Sequence, residues 1–248
     1  MFPWIFVDYL GHIAPDITVQ HNSIMGAPPG FRDLTKNMQL LGSAERQAEF
    51  KRKYDDQDSF ETLQERFHCG SHYSNPGIVL HYLSRLSPYL EALVQLHGKA
   101  LDSPDRGFHS LHDSIHSALN DHADVRELIP EFFYCPELFI NRNGINFGRK
   151  QDGEVVDGVK LPPWCQNDPY LFVIYMREAF ESQYVSQNLN GWIDYIFGCK
   201  QREAEAERAL NTFSRVTYED GVDLEGIQDP LTKQSYQEQI YNYGQTPS

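Results

Sequence analysis

Cysteine is scarce and scattered: Cys69, Cys135, Cys165 and Cys199 stand at least 30 residues apart, with no CxxC pair. A disulfide framework or a thiolate zinc site needs paired spacing, so free thiols in a cytosolic setting are the economical reading. Long apolar runs are missing as well, and none approaches the roughly 18–20 residues that a membrane span requires. Positive charge is in deficit, with 21 bases against 35 acids and a net charge of −14. That balance argues against a nucleic-acid backbone as the main partner and against strong adsorption to anionic lipid. Glycine-rich phosphate loops of the GxxxxGKS/T or GxGxxG kind are absent. Met1-Phe2-Pro3-Trp4 shows neither a basic start nor a long apolar core, so no secretory-signal pattern is visible.

What is present is globular. Apolar residues make up 40% and aromatics 13% of 248 residues, enough for one sizeable core. The central stretch is Asp124–Phe139. Asp124 reads as a helix cap, with Glu127 completing a capping box, and Pro130 ends that helix within about two turns. Phe132, Phe133 and Tyr134 follow, fenced by Pro130 and Pro136, and a central strand tolerates neither proline. The segment is therefore expected to be buried, and to be neither a long helix nor a ladder strand. Phe2 to Tyr9 also reads as core.

Around this centre the helix signals are regular. Ser43 caps a helix through about Tyr54, and Asn75-Pro76 opens one to about Arg85. Ser87-Pro88 repeats that device up to Gly98. A histidine-dotted helix covers about Phe108 to Leu119. Asp168-Pro169 starts the clearest helix, with Phe172, Tyr175, Met176, Ala179 and Phe180 inward. Ser186 opens another, with Leu189, Trp192, Ile193, Ile196 and Phe197 inward, and Asp229-Pro230 starts the last, which Gly244 stops. Gly11 to Gly30 reads as a surface excursion, Asp33 to Leu41 as a polar connection, and Thr246-Pro247-Ser248 as the start of a linker. Asp152-Gly153 is a hairpin signal, and Lys160 to Trp164 is held extended by Pro162 and Pro163. The fold class is mainly α in one domain, with extended, irregular, proline-bounded core segments wrapped by helices and at most a minor hairpin.

Few constellations suggest chemistry. His109, His112 and His116 share a helical spacing suited to metal ligands, but the interval HDSIH lacks the glutamate of an HExxH site. Ordinary surface or packing histidines are preferred, and no metal is expected. Glu127, Glu131 and Glu137 surround the apolar centre and offer a carboxylate pair for a hydrolase; caps and acceptors for buried amides are the preferred role. Ser71 beside His72 lacks a nucleophile elbow. Lys51-Arg52-Lys53 reads as a solvated helix face in preference to a lipid-binding patch. Trp192 is expected in the core, and Trp164 stays open.

The order of motifs resembles the BEACH domain family over nearly the whole chain. Phe2-Pro3-Trp4 to Asp8-Tyr9 resembles its FPW…DY opening, and Phe31 to Lys36 its FRDLSK. Gly70 to Gly77, GSHYSNPG, is its most recognisable run. Asp124 to Tyr134, Lys150 to Gly153, Leu161 to Trp164, Trp192 to Gly198 and Tyr243 to Pro247 follow in family order. Details at Asn167 to Pro169 and Val185 to Asn188 lean toward the lysosomal trafficking regulator branch. Departures are Asn37 in the place of a proline, Ile115 in that of a tryptophan and Glu203 in that of a glycine. The resemblance implies a family helical stretch ahead of Phe2, and no pleckstrin-homology-like or WD40 module within these residues. It also implies a scaffold without enzymatic activity or cofactor, cytoplasmic and peripheral to endomembranes. Its partners would be a pleckstrin-homology-like domain, WD40 repeats and trafficking proteins, with no nucleic acid. His72, Tyr73, Asn75, Lys150 and Gln151 are the candidate contact residues, as polar members of the matched motifs; satisfying buried backbone is the favoured role for each.

Overall fold

The computed structural model describes residues 1–18, 26–57, 66–98 and 100–247. Residues 19–25 of the Gly11–Gly30 excursion, and Ser248, lie outside them. The chain is mainly α, and among the described residues extended segments pair only through isolated bridges. The helices are α1 (Ala44–Asp55), α2 (Pro76–Tyr82), α3 (Tyr89–Leu96), α4 (Leu111–Asn120), α5 (Pro169–Phe180), α6 (Gln183–Ile196), α7 (Glu203–Arg208) and α8 (Pro230–Tyr243).

Three starts form as their sequence demands. Ser43 Oγ accepts the Arg46 amide at 3.2 Å, the Asp168 carboxylate accepts those of Tyr170 and Leu171 at 2.8 and 3.2 Å, and Asp229 accepts that of Thr232 at 2.9 Å. Each satisfies donors that the first helical turn leaves orphaned. Other boundaries move. α2 stops at Tyr82, short of Arg85. The Ser87 hydroxyl donates to Glu91 instead of capping α3, which leaves Pro88 as a cap without a side-chain bond. α6 begins at Gln183, before Ser186, because Ser182 takes the Ser186 amide on its carbonyl and the Val185 amide on its hydroxyl. Ile193 on α6 and Phe197 just past its end, expected inward, are exposed.

The chain packs as two compact units that alternate along the sequence. The first comprises Met1–Asp33, Gly77–Ser117 and Glu127–Gln187. Its centre is Phe132, fully buried, with ring centroids of Tyr82 at 4.9 Å, Phe139 at 5.4 Å, Phe108 at 5.8 Å and Trp4 at 6.3 Å. Tyr82, Phe139 and Trp4 meet it edge-on, the arrangement aromatic quadrupoles favour. Pro130 and Pro136 each open a short 3-10 turn, Pro130–Phe133 and Pro136–Phe139, so the segment is turned where extended backbone was expected. The turns place Phe132, Phe133, Leu138 and Phe139 inside but leave Tyr134 61% exposed, correcting the expectation that all three aromatics were buried. Pro163 likewise starts a turn, Pro163–Cys165, at the end of the stretch expected to be extended. Trp164 is half-buried, stacks on Phe172 with centroids 5.9 Å apart and meets Tyr175 at a tilt, 4.8 Å away. Phe2 bridges Leu128 through N–O contacts of 2.8 and 2.9 Å, and Phe6 bridges Phe31. The hairpin forms, with Gly153 at φ +88° and the Lys150 amide 2.9 Å from the Glu154 carbonyl.

The second unit comprises Leu34–Pro76, Ala118–Arg126 and Asn188–Ser248. Leu34, Asn37, Met38 and Gln39 are buried around a 3-10 turn, so the start of the expected polar connection is interior. Asn37, in the place of a family proline, caps that turn by accepting the Leu40 amide at 3.0 Å and donates to the Ala209 carbonyl at 2.9 Å. Trp192 is core. Thr246 is buried and its amide reaches the Thr217 carbonyl at 2.7 Å, so this residue is anchored where a linker was expected.

Glu203 explains its own oddity. Its φ is +57°, in the left-handed region that glycine alone enters freely. Glu203→Gly is expected to raise stability by about 0.5–1 kcal/mol, read as a higher urea midpoint with an unchanged slope.

Candidate functional site

The GSHYSNPG run was the strongest candidate for a contact site, and most of it is strapped inward. In the second unit Cys69 pairs in parallel with Phe213, its amide 3.0 Å from the Thr212 carbonyl and its carbonyl 3.0 Å from the Ser214 amide. The His72 amide donates to the Tyr243 carbonyl at 2.7 Å. The Ser74 hydroxyl donates to the Gln245 carbonyl at 3.0 Å and accepts the Gln245 amide at 2.9 Å. Gly244, at φ +78°, permits this approach, since a Cβ there would lie 2.6 Å from the Asn75 nitrogen.

The side chains are equally committed. Tyr73 donates its hydroxyl to Asn211 Oδ1 and accepts from Gln39 Nε2 at 3.1 Å. Asn211 Nδ2 serves the carbonyls of Tyr195 and Lys200 at 2.9 and 2.8 Å. His72 Nδ1 accepts the Ser74 amide at 3.2 Å, and the ring engages Ser74, not Ser71. No Ser71–His72 nucleophile pair therefore forms. Burial pushes the Cys69 thiol up to about 11, which keeps it protonated and inert. It also pushes the imidazoles of His68 and His72 down to about 4, so both are neutral at pH 7. His72 and Tyr73 are buried and Asn75 is half-buried. Lys150 and Gln151, in the first unit, sit on the hairpin: Lys150 is held by Asp152 at 3.1 Å and Glu154 at 2.6 Å, while Gln151 is exposed.

The three glutamates do not converge. Glu127 is fully buried in the first unit; its two oxygens accept Arg32 Nη1 and Nη2 at 2.7 and 2.9 Å, and Oε2 also faces the Trp4 amide at 3.3 Å. Glu131 accepts the Tyr134 hydroxyl at 3.1 Å, and Glu137 lies 3.9 Å from Arg142. The capping box expected at Asp124 is not formed either: residues 124–129 are not helical, and Asp124 accepts the Arg126 amide at 3.0 Å. The histidine face is also incomplete. His109 precedes α4, with Nδ1 3.6 Å from Asp113, while the His112 and His116 rings are 5.9 Å apart. Among the described residues no group of three or more side chains is placed to hold a metal ion. In the basic run Arg52 pairs with Glu49 at 2.6 Å and Asp56 at 2.9 Å on an exposed face.

Residues 1–248 match the family model for the Beige/BEACH domain. The chain belongs to the BEACH domain family. It is 43% identical over 249 residues to Protein SPIRRIG of Arabidopsis thaliana and 43% over 248 residues to a putative neurobeachin homolog of Caenorhabditis briggsae. It is 39% identical over 250 residues to the lysosomal-trafficking regulator of Homo sapiens. Each alignment takes in 100% of this chain but only 7%, 9% and 6% of the relative, respectively.

Within this BEACH domain, reading motifs alone misses the side chains that carry the backbone. Arg46, 4% exposed, donates to the carbonyls of Met38 (2.5 Å), Ala118 (2.8 Å), Asp124 (2.9 Å) and Asp121 (3.1 Å). Arg85, 1% exposed, gives two bonds to the Asp157 carbonyl at 2.7 and 3.0 Å and one to that of Phe108 at 2.5 Å. No periodicity announces such roles; Arg85 gives one signal, a long cation in a stretch rich in leucine and tyrosine, and Arg46, among Glu45, Gln47 and Glu49, gives none.

Two outcomes follow from these geometries. Glu127→Ala removes the bidentate partner of a buried guanidinium and is expected to cost about 3–5 kcal/mol, whereas replacing both partners (Arg32→Met with Glu127→Leu) costs far less; urea unfolding of the single and double variants measures the contrast. For His68 and His72 the folded pKa lies below the unfolded value of 6.5. Their contribution is therefore intact above pH 6.5 and lost as pH falls toward about 4, at most about 3 kcal/mol for each. The stability difference between pH 7 and pH 5 should shrink in the His68→Gln, His72→Gln double variant.

Proposed function

We propose that this BEACH domain is a non-catalytic interaction domain of a larger cytoplasmic protein that acts in vesicle, lysosome or autophagy-related traffic. Burial carries the reading. The polar groups that a catalyst would need in a cleft, Glu127, His72, Tyr73 and Cys69, are interior and engaged by Arg32, the Ser74 amide, Asn211 and Gln39 respectively. A group so held supplies shape, and shape is what a docking domain offers. The name of the human relative, a lysosomal-trafficking regulator, supports the cellular setting. The small share of each relative that this chain spans supports its working beside other modules, which we take to be a pleckstrin-homology-like domain and WD40 repeats. Among the described residues no helix is long and apolar enough to cross a membrane. With the acidic net charge, that favours membrane association through protein partners, themselves trafficking components.

A domain swap tests this. The chain is placed in the human lysosomal-trafficking regulator in exchange for its matching segment, and lysosome size and distribution are scored in cells lacking the native protein. Rescue is expected, and it should survive Glu131→Gln, Glu137→Gln and His112→Ala. Rescue abolished by those three changes at normal protein levels would point to hydrolysis instead.

A further inference from the structure

One surface of the second unit brings three arginines and three carboxylates together. A cleft of about 830 Å³ is lined by Arg66, Arg202 and Arg215, with Tyr54, Thr212 and Tyr218 between them. Its walls are fixed. Tyr54 stacks on His68 with centroids 4.3 Å apart and planes at 11°. The Tyr218 hydroxyl accepts the Phe213 amide and donates to the Gln201 carbonyl, both at 3.2 Å, so its ring is held from the far end. On that ring lies the Arg202 guanidinium, 5.2 Å from the centroid. Arg215 lies 5.3 Å over Tyr236 and donates to its hydroxyl at 2.5 Å. Arg66 and Arg202 form no ion pair among the described residues.

A guanidinium held against an aromatic ring still carries its N–H donors in the fork that matches an anion bidentately. The neighbouring charges define which anion. Glu203, Glu207 and Asp220 line the same cleft, matching the three arginines in number. A dianionic phosphate would meet three carboxylates, and an anionic bilayer would face these and the net charge of −14 as well. A single carboxylate on a short, otherwise neutral or basic segment brings less negative charge than either, and its basic flanks would face Glu203, Glu207 and Asp220. The volume falls in the roughly 300–1,000 Å³ range of enclosed ligand sites and exceeds what one acidic side chain fills, leaving room for flanking residues against Tyr54 and Tyr218.

We propose that this cleft binds a short peptide segment of a partner protein through a Glu or Asp side chain clasped by Arg202 and Arg66. The proposal rests on the interaction-domain reading and adds the chemistry of the partner. The test is an array of twelve-residue peptides with randomised flanks and a central Glu, Gln or phosphoserine, probed with the whole chain, with binders measured by fluorescence anisotropy. Glu-centred binders are expected to weaken about tenfold when the central residue becomes Gln, and similarly with the Arg202→Gln protein, the loss of one charge-assisted pair. Lys51→Gln, outside the cleft, should change nothing. Equal binding by Gln-centred peptides, a preference for phosphoserine, full affinity in Arg202→Gln, or sedimentation with phosphatidylserine vesicles in the absence of peptide binding would each overturn it. Absence of any peptide binding alongside an intact domain-swap rescue would overturn the cleft and leave the interaction-domain reading standing.

Discussion

A carbonyl taken out of water must meet a donor. In a helix or sheet the neighbouring backbone provides it, but the interior segments here belong to neither. The donors are side chains instead. Arg46 ties the turn at Met38 to the backbone of residues 118–124 with one guanidinium, and Arg85 ties the backbone at Phe108 to that at Asp157. Burial depresses Arg85 to about 10, so it is still a cation at neutral pH. Its charge makes each of those bonds roughly twice as strong as a neutral one, which offsets the desolvation. Asn37 and Asn211 do the same without charge.

The prolines complete this arrangement. Pro130 and Pro136 lack the amide that would need a partner, and each stands at the first position of a turn, where that amide is orphaned anyway. Two tight turns in succession then alternate the side chains: Phe132 and Phe139 point to the ring cluster, and Tyr134, on the residue between the turns, points out. Irregular backbone is thus tolerated inside because its unpaired groups are either deleted by proline or met by a buried polar side chain.

How much of this was legible follows from the range of each interaction. Ser43, Asp168-Pro169 and Asp229-Pro230 announced their helices because a cap acts within three residues. Asp152-Gly153 announced the hairpin for the same reason. Phe132 and Phe133 were legible as interior since proline excludes the alternatives, but the same fence said nothing of which ring would turn outward, and Tyr134 did. The capping box at Asp124 and Glu127 was legible and did not form: Arg32, 95 residues away, holds Glu127, and a bidentate buried pair outweighs a cap of about 1 kcal/mol. Likewise His109, His112 and His116 share a spacing, but the helix starts after His109, and spacing means nothing outside the helix. For the contact residues, the motif named the positions, and His72 and Tyr73 lie in the interior.

Glu203 links the fixed interior to the open rim. The backbone there takes a left-handed turn that suits glycine, and it keeps that turn although the residue resists it. A conformation maintained against its residue's preference is imposed by the surrounding packing. The chain path at this position is therefore set from outside the residue, and the side chain decides only what the path displays: a carboxylate in the cleft that Arg202 and Arg215 line.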